Sequence, residues 1–155
     1  MKILIATDGS TFGERALEKA CEFAKGWNGV SFRIISVYEA HVPMAAEPFA
    51  ISAEYYQQLD SLARQRAESA VEKAVEFIRE HLPAASWDMT TAVELGAPAK
   101  VIVETAESWV ADLVVVGSHG YGFLGRIALG SVSDAVVHHS PCSVLVVRYQ
   151  TEEGE

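Results

Sequence analysis

Short, continuous apolar runs alternate along this chain with stretches whose apolar residues recur at helical spacing, and this alternation constrains the fold most strongly. The runs Ile3–Ala6, Leu113–Val116 and Ser143–Val147 lack the regular polar alternation of a strand that faces water. Ile3–Ala6 is typical of a strand buried on both faces of a sheet, and the other two runs are interpreted as the fourth and fifth strands. Phe32–Val37 predicts a second strand, and the more polar Trp87–Val93 predicts a third that lies near a sheet edge.

Helical patterns separate these five strands. A helix follows Thr11, whose hydroxyl is predicted to form a capping box with Glu14. Spacings of three and four predict a long helix from Glu54 to Glu80. Its predicted apolar face consists of Tyr55, Leu59, Leu62, Ala67, Ala70, Val71, Ala74 and Ile78. Further helices are predicted from Pro98 and from about Gly130 to His139.

The resulting order, β-α-β-α-β-α-β-α-β, predicts an α/β fold of a single domain. Its sheet is open and parallel, with helices on both faces. Crossovers in such sheets are right-handed. Ligands bind beyond the carboxyl ends of the strands, where the strand order reverses.

Composition excludes several classes of partner. The 155 residues carry 12 Lys and Arg against 21 Asp and Glu, a formal charge of −9. We therefore expect binding neither to nucleic acid nor to an anionic membrane, since both need a dense cationic surface. No apolar run approaches the length of a membrane span, and the N-terminus does not resemble a signal peptide. With only two cysteines, both interpreted as small core residues, the expectation is a cytoplasmic protein.

Polar, glycine-rich segments follow the first and fourth strands. Asp8-Gly9-Ser10 ends the first strand, and five of the 11 glycines lie between positions 117 and 130. Glycines between a buried strand and a helix let backbone amides converge on a phosphate without much positive charge. Ser131 and Asp134 are predicted to cap the helix that follows. The alternative is a glycine-rich turn that only makes a tight connection.

Three other sequence motifs are each excluded by their position or by missing residues. The G-x-G-x-x-G match at 120–125 follows the fourth strand and has no acidic residue about 20 positions later, so it is not a dinucleotide fingerprint. No lysine follows Lys100, which excludes a Walker A loop there, and no G-x-S-x-G elbow exists. His119 could donate to a phosphate or to its own loop, and Arg126 could pair with phosphates or with an acid. We predict no catalytic residues and no protein metal site.

The glycine spacing is specific. Gly117 and Gly120, followed by nine residues and then Gly130-Ser131, fit the pattern G-2x-G-9x-G-[S/T]. Together with Ile5-Ala6-Thr7-Asp8-Gly9-Ser10 and the ending Ser140–Val147, this chain resembles the universal stress protein family, in its ATP-binding branch. The likeness extends from Lys2 to Arg148.

The resemblance implies a five-stranded sheet of order 3-2-1-4-5, which is Rossmann-like and similar to adenine nucleotide alpha hydrolases. It implies a family domain over residues 1–150 and a short acidic tail over 151–155. The implied ligand is ATP, with any Mg²⁺ held by the phosphates. By similarity, Asp8 contacts the ribose and adenosine side, and the backbone around Val37 contacts adenine. The implied nucleotide-binding residues are Thr7, Asp8, Val37, Val116, Gly117, His119, Gly120, Arg126, Gly130, Ser131, Val132 and Ser133.

The resemblance also implies a function in the stress response. We expect an ATP-binding switch or sensor with slow or no hydrolysis, which forms a homodimer through the fifth strand at Val144–Val147. One alternative is a slow ATPase or nucleotide hydrolase that uses His119 or Asp8. The other is a dimeric interaction protein that binds no nucleotide.

Overall fold

The computed structural model describes residues 1–40, 53–82, 87–120 and 129–148. Strands and helices alternate along the chain, as the apolar pattern predicts. The elements are β1 (Lys2–Ala6), α1 (Thr11–Ala24), β2 (Val30–Tyr38), α2 (Ala53–His81), β3 (Trp87–Leu95), α3 (Pro98–Trp109), β4 (Leu113–Gly117), α4 (Ser131–His139) and β5 (Ser143–Val147).

All five strands are parallel and lie in the order β3-β2-β1-β4-β5, which confirms the predicted fold class and strand order. β1 is central, so that Ala6 at its carboxyl end lies level with Ile35 of β2 and with Val116 of β4. β3 is an edge strand, as its polar pattern predicts. The chain moves outward in one direction through β2 and β3 and in the other through β4 and β5. The carboxyl ends of β1 and β4 therefore meet at the switch point of the sheet.

Alternate residues of the central strands supply two separate cores. Ile3 and Ile5 pack with residues of α1 and α2 on one face, and Leu4 packs with residues of α3 and α4 on the other. All three side chains have no exposed surface. Because both faces are covered by helices, β1 from Ile3 onward and β4 up to Val116 need apolar side chains. This explains their continuous apolar runs.

Two predicted helix caps are each wrong by one residue. The N-cap of α1 is Ser10, whose hydroxyl accepts from the Gly13 amide at 3.3 Å, and Thr11 is already the first helical residue. Likewise, the N-cap of α4 is Gly130, and Ser131 is the first helical residue. Both caps have extended backbone, with ψ of 164° and 156°. The predicted Thr11–Glu14 and Ser131–Asp134 capping pairs therefore start one position too late.

The predicted apolar face of α2 is buried only in its second half. Ala67, Ala70, Val71, Ala74 and Ile78 are all buried, whereas Tyr55 and Leu62 are 48% and 50% exposed. A helix of 29 residues is about 44 Å long, whereas a strand of nine residues spans only about 30 Å. The first turns of α2 therefore extend past the sheet. In the described parts of the chain, none of the helices is both long and apolar enough to cross a membrane.

The C-terminus of α3 carries backbone strain, which leads to a stability prediction. Val110 ends this helix with φ of 55° and ψ of 58°, and its side chain is 71% exposed. The left-handed conformation costs a residue with a Cβ about 1–2 kcal/mol, whereas glycine adopts it without this cost. Because glycine also loses more conformational entropy on folding, we expect Val110→Gly to raise the free energy of unfolding by only up to about 1 kcal/mol. Urea denaturation measures the change.

Val137→Gly is the matched control, because Val137 is an exposed valine inside α4. It should lower the free energy of unfolding by about 0.5 kcal/mol, since glycine is less favourable than valine within a helix. A loss of stability in Val110→Gly would contradict the strain assigned to Val110.

Candidate functional site

A cleft of about 400 Å³ opens at the switch point of the sheet, beside the first turns of α3 and α4. Every residue predicted for the site lines it except Arg126, which lies outside the described residues. The lining residues are Ala6, Thr7, Asp8, Gly13, Ile35, Val37, Pro98, Ile102, Val116, Gly117, His119, Gly120, Gly130, Ser131, Val132 and Ser133. The fold thus brings together the ends of β1, β2 and β4 and the start of α4.

Sequence reasoning missed five of these lining residues: Ala6, Gly13, Ile35, Pro98 and Ile102. The signal for two of them was strand alternation, because Ala6 and Ile35 lie on the same face of the sheet as Val37 and Val116. Ile102 and Pro98 belong to α3, and no local pattern shows that this helix starts beside the cleft. Gly13 did give a signal, because glycine is unfavourable within a helix and its place in the first turn of α1 indicates a special packing requirement.

The two ends of the cleft differ in polarity. The end beside β2 and α3 consists of the aliphatic side chains of Ile35, Val37 and Ile102 with the ring of Pro98, and Ala6 and Val116 line the middle of the cleft on the two central strands. The other end carries hydroxyl groups, the Asp8 carboxylate and the backbone of the glycine-rich segment. Such a cleft suits a ligand with a flat apolar ring at one end and an anionic group at the other.

The β1–α1 loop is held by its own short side chains. The Thr7 hydroxyl accepts from the Gly9 amide at 3.1 Å, and Gly9 has φ of 75°, which suits glycine. One Asp8 oxygen, Oδ1, accepts from the Ser10 amide at 3.0 Å and from the Ser10 hydroxyl at 2.6 Å. These bonds fix the Asp8 carboxylate in the loop, so that its other oxygen, Oδ2, lies next to Gly120.

The segment after β4 is anchored to both neighbouring elements. The Ser118 amide donates to the Val147 carbonyl of β5 at 2.8 Å, and the Gly130 amide donates to the Ser118 carbonyl at 2.8 Å. The Ser118 hydroxyl lies 3.1 Å from Nδ1 of His119, whose ring packs at a tilt on Phe12 with centroids 5.3 Å apart. His119 is therefore held by its own loop, one of the two roles that the sequence left open.

The start of α4 presents backbone donors to the cleft. Its cap residue, Gly130, has no side chain that could accept from the first turn. The amides of Ser131, Val132 and Ser133 have no carbonyl partner within the helix, because the first turn of any helix lacks one. All three residues line the cleft. Together with the positive end of the helix dipole, these amides favour an anion.

The glycines of the motif are needed for packing inside the protein. A Cβ at Gly117 would lie 2.8 Å from the backbone of Phe12, and one at Gly120 would lie 2.7 Å from Oδ2 of Asp8. At Gly130 the nearest atom is the Ser118 carbonyl oxygen, at 3.2 Å. At all three positions a side chain would therefore meet protein atoms.

Metal-ligating side chains do not cluster in the described ranges, where no group of three His, Cys, Asp or Glu could hold an ion. His138 and His139 are exposed at the end of α4. Both cysteines are free thiols, and the buried Cys21 belongs to the core, as predicted. Burial raises the pKa of its thiol to about 11, although Lys25 opposes the shift. Cys21 is therefore protonated and unreactive at neutral pH.

Comparisons with known proteins agree on one family. Residues 1–148 match the model of the universal stress protein family. A universal stress protein of Synechocystis sp. is 32% identical over 158 residues, covering 96% of this chain and 97% of the relative. A universal stress protein of Methanocaldococcus jannaschii is 32% identical over 155 residues, covering 98% of this chain and 84% of the relative.

Two solved structures extend the comparison. A universal stress protein from Lactobacillus plantarum superposes with a TM-score of 0.78 at 23% identity, covering 96% of this chain and 97% of the other, and so shows the fold. A universal stress protein in complex with cAMP superposes with a TM-score of 0.64 at 28% identity, covering 95% and 96% of the two chains.

The contact between Gly117 and α1 gives a second stability prediction. A Cβ at position 117 would lie 2.8 Å from the carbonyl carbon and oxygen of Phe12, and backbone atoms cannot move aside cheaply. We expect Gly117→Ala to lower the free energy of unfolding by about 2 kcal/mol, which is typical of overpacking. Thermal and urea denaturation of the purified variant measure this loss.

Gly26→Ala is the control, because the nearest atom to a Cβ there is 3.7 Å away. It should change the free energy of unfolding by no more than about 0.5 kcal/mol. Equal stability of the two variants would show that β4 does not need glycine at position 117.

Proposed function

The chain belongs to the universal stress protein family, and on that premise we propose that it binds an adenine nucleotide in the cleft, with ATP as a regulatory ligand. The observation that carries the proposal is the composition of the cleft. An aliphatic slot lies at one end, and the first turn of α4 lies at the other. The protein would act as a nucleotide-dependent switch in the stress response.

The aliphatic end supports a place for the adenine ring. Val37 and Ile35 of β2 and Ile102 of α3 line it, and Ile102 is only 3% exposed. A flat ring buried among such side chains gains apolar contact on both faces, at about 25 cal/mol per Å² of area removed from water. The backbone near Val37, at the end of β2, would supply hydrogen bonds to the ring edge.

The polar end supports a place for ribose and phosphate. The Asp8 carboxylate is acceptor-only when ionised, so that it would accept from ribose hydroxyls rather than contact phosphates. The first-turn amides of Ser131, Val132 and Ser133 would donate to phosphate oxygens. This arrangement would separate the Asp8 carboxylate from the phosphates, and phosphate binding would need no lysine.

One neighbour supports the class of ligand. The universal stress protein that superposes at 28% identity was solved in complex with cAMP, which shares its adenine, ribose and phosphate with ATP. We extend that class to this chain and propose ATP as its member, since the glycine pattern resembles that of the ATP-binding branch. Any Mg²⁺ would be held mainly by the phosphates.

We propose a switch rather than an enzyme on chemical grounds. Phosphoryl transfer needs groups that neutralise charge developing on the γ-phosphate, whereas amides that bind phosphates equally in the ground state do not accelerate the reaction. The Asp8 carboxylate is hydrogen-bonded to Ser10, and we propose that it contacts the ribose rather than the γ-phosphate. Our proposal places the protein in the cytoplasm, where ATP is available and Cys21 and Cys142 would stay reduced.

We also propose a homodimer through the outer edge of β5. The Val147 carbonyl faces β4, where it accepts from Ser118. Backbone groups alternate sides along a strand, so those of Val144 and Val146 face outward from the sheet. An edge with apolar residues and outward backbone groups invites pairing, and a two-fold axis would limit the pairing to two chains.

Titration calorimetry tests nucleotide binding. We expect ATP and cAMP to bind the wild-type protein with Kd well below millimolar, and Gly130→Val to weaken binding at least tenfold. The valine side chain would occupy the cap of α4 and crowd the Ser118 carbonyl, 3.2 Å from its Cβ. Gly26→Val is the control, since Gly26 is exposed and outside the cleft.

Wild-type affinity no better than millimolar for both nucleotides would refute the proposal. The same samples separate a switch from an enzyme. Phosphate release from ATP should stay far below the ~1 s⁻¹ lower end of typical enzymes. Faster release that is lost in Gly130→Val would instead favour the ATPase alternative.

Light scattering tests the dimer. We expect a mass of about twice 16.8 kDa for the wild-type protein and a monomer for Val144→Pro. Proline at 144 would remove an outward N–H without removing a β4–β5 hydrogen bond. Circular dichroism confirms that the variant is folded. A wild-type monomer, or a folded variant that still dimerises, would count against this interface.

A further inference from the structure

We propose that Ser133 is a positioning residue, whose buried hydroxyl joins the two ends of the glycine-rich segment and holds the start of α4 in its binding geometry. This inference rests on the proposed function. The family resemblance implied that Ser133 is a nucleotide-binding residue. The contacts of its hydroxyl assign it a different role.

The hydroxyl of Ser133 lies between two backbone carbonyls. Its Oγ is 2.9 Å from the Ser118 carbonyl oxygen, at the beginning of the segment, and 2.9 Å from the Gly130 carbonyl oxygen, at the end. The whole residue is only 2% exposed. A hydroxyl has one hydrogen, so the two carbonyls share one donor. The bond to Ser118 spans 15 positions of sequence and therefore joins α4 to the end of β4.

Ser118 connects the Ser133 hydroxyl to the sheet. Its carbonyl accepts from the Gly130 amide at 2.8 Å as well as from Ser133, and the Ser118 amide donates to Val147 at 2.8 Å. Ser118 is 1% exposed, so these bonds are shielded from water. The cap of α4 is thereby fixed relative to β4 and β5. The first-turn amides would meet phosphate oxygens without further ordering, which reduces the entropy cost of binding.

Ser133→Ala removes this contact cleanly. The Ser118 carbonyl keeps its bond from the Gly130 amide, and the Gly130 carbonyl keeps its bond from the Asp134 amide at 2.9 Å. No buried carbonyl loses its last donor, so the variant should fold. By contrast, a substitution at Ser118 or Gly130 would disturb the segment itself.

The test measures amide exchange by NMR in the nucleotide-free protein and ATP affinity by calorimetry. In Ser133→Ala we expect the Gly130 amide to exchange about fivefold faster, the value of one net hydrogen bond. The amide of Val115, in the core of β4, reports global unfolding, so its rate is the reference that separates local opening at Gly130 from a loss of overall stability. ATP affinity should fall by at most the same factor, because opening of the segment lowers the fraction of binding-competent protein. Ser108→Ala is the matched control, because Ser108 is an exposed serine of α3 outside the cleft.

Each failure has a distinct pattern. Unchanged exchange at Gly130 in Ser133→Ala would overturn the inference. If affinity fell while exchange stayed the same, the hydroxyl would contact the nucleotide directly, and a positioning role would be wrong. If wild-type protein bound no ATP, the proposed function would fail, and Gly130 exchange alone would still decide whether Ser133 holds the segment.

Discussion

The parallel pairing of β1 with β4 is the contact on which the rest of the structure depends. Ile3, Leu4, Ile5 and Ala6 lie level with residues 113–116, so that the two most apolar strands form the middle of the sheet. Since each strand is buried on both faces, helices must cover both sides. The chain then leaves both strands at the same edge, and the loops after β1 and β4 meet there. The cleft follows from this one pairing.

Close contacts between those loops give the cleft its shape. The start of α1 approaches the end of β4 so closely that Gly117 has no space for a Cβ beside Phe12. A Cβ at Gly13, in turn, would lie 2.7 Å from the Thr7 hydroxyl. The loops therefore pack closely at the base of the site, backbone on backbone at Gly117 and backbone on the Thr7 side chain at Gly13. The glycines allow the loops to pack this closely, and the shape of the cleft follows from that packing.

The chemistry proposed for the site relies on fixed dipoles rather than on charge. A chain with a formal charge of −9 attracts a nucleotide poorly at long range. Amides at the start of a helix are already oriented, however, and lose little entropy when a phosphate binds. Ser10 and Ser133 both contribute to this rigidity: the Ser10 hydroxyl accepts from the Gly13 amide of α1, and the Ser133 hydroxyl donates to the Gly130 carbonyl at the cap of α4. Binding without strong acceleration of chemistry suits a regulatory ligand.

The sequence by itself determined the element order, the two-sided burial of β1, the strand order through the family resemblance, and 11 of the 16 residues that line the cleft. These features are periodic or local, so they can be read along the chain. Only the tertiary structure decided that Ser10 and Gly130 are the caps, since a cap depends on the backbone angles of a single residue. It alone brought Pro98 and Ile102 to the cleft, because α3 is distant from β1 in sequence. The same holds for Ser133, whose partner Ser118 is 15 residues away. A contact of that kind exists only after β4 and α4 have packed, and no local pattern encodes it.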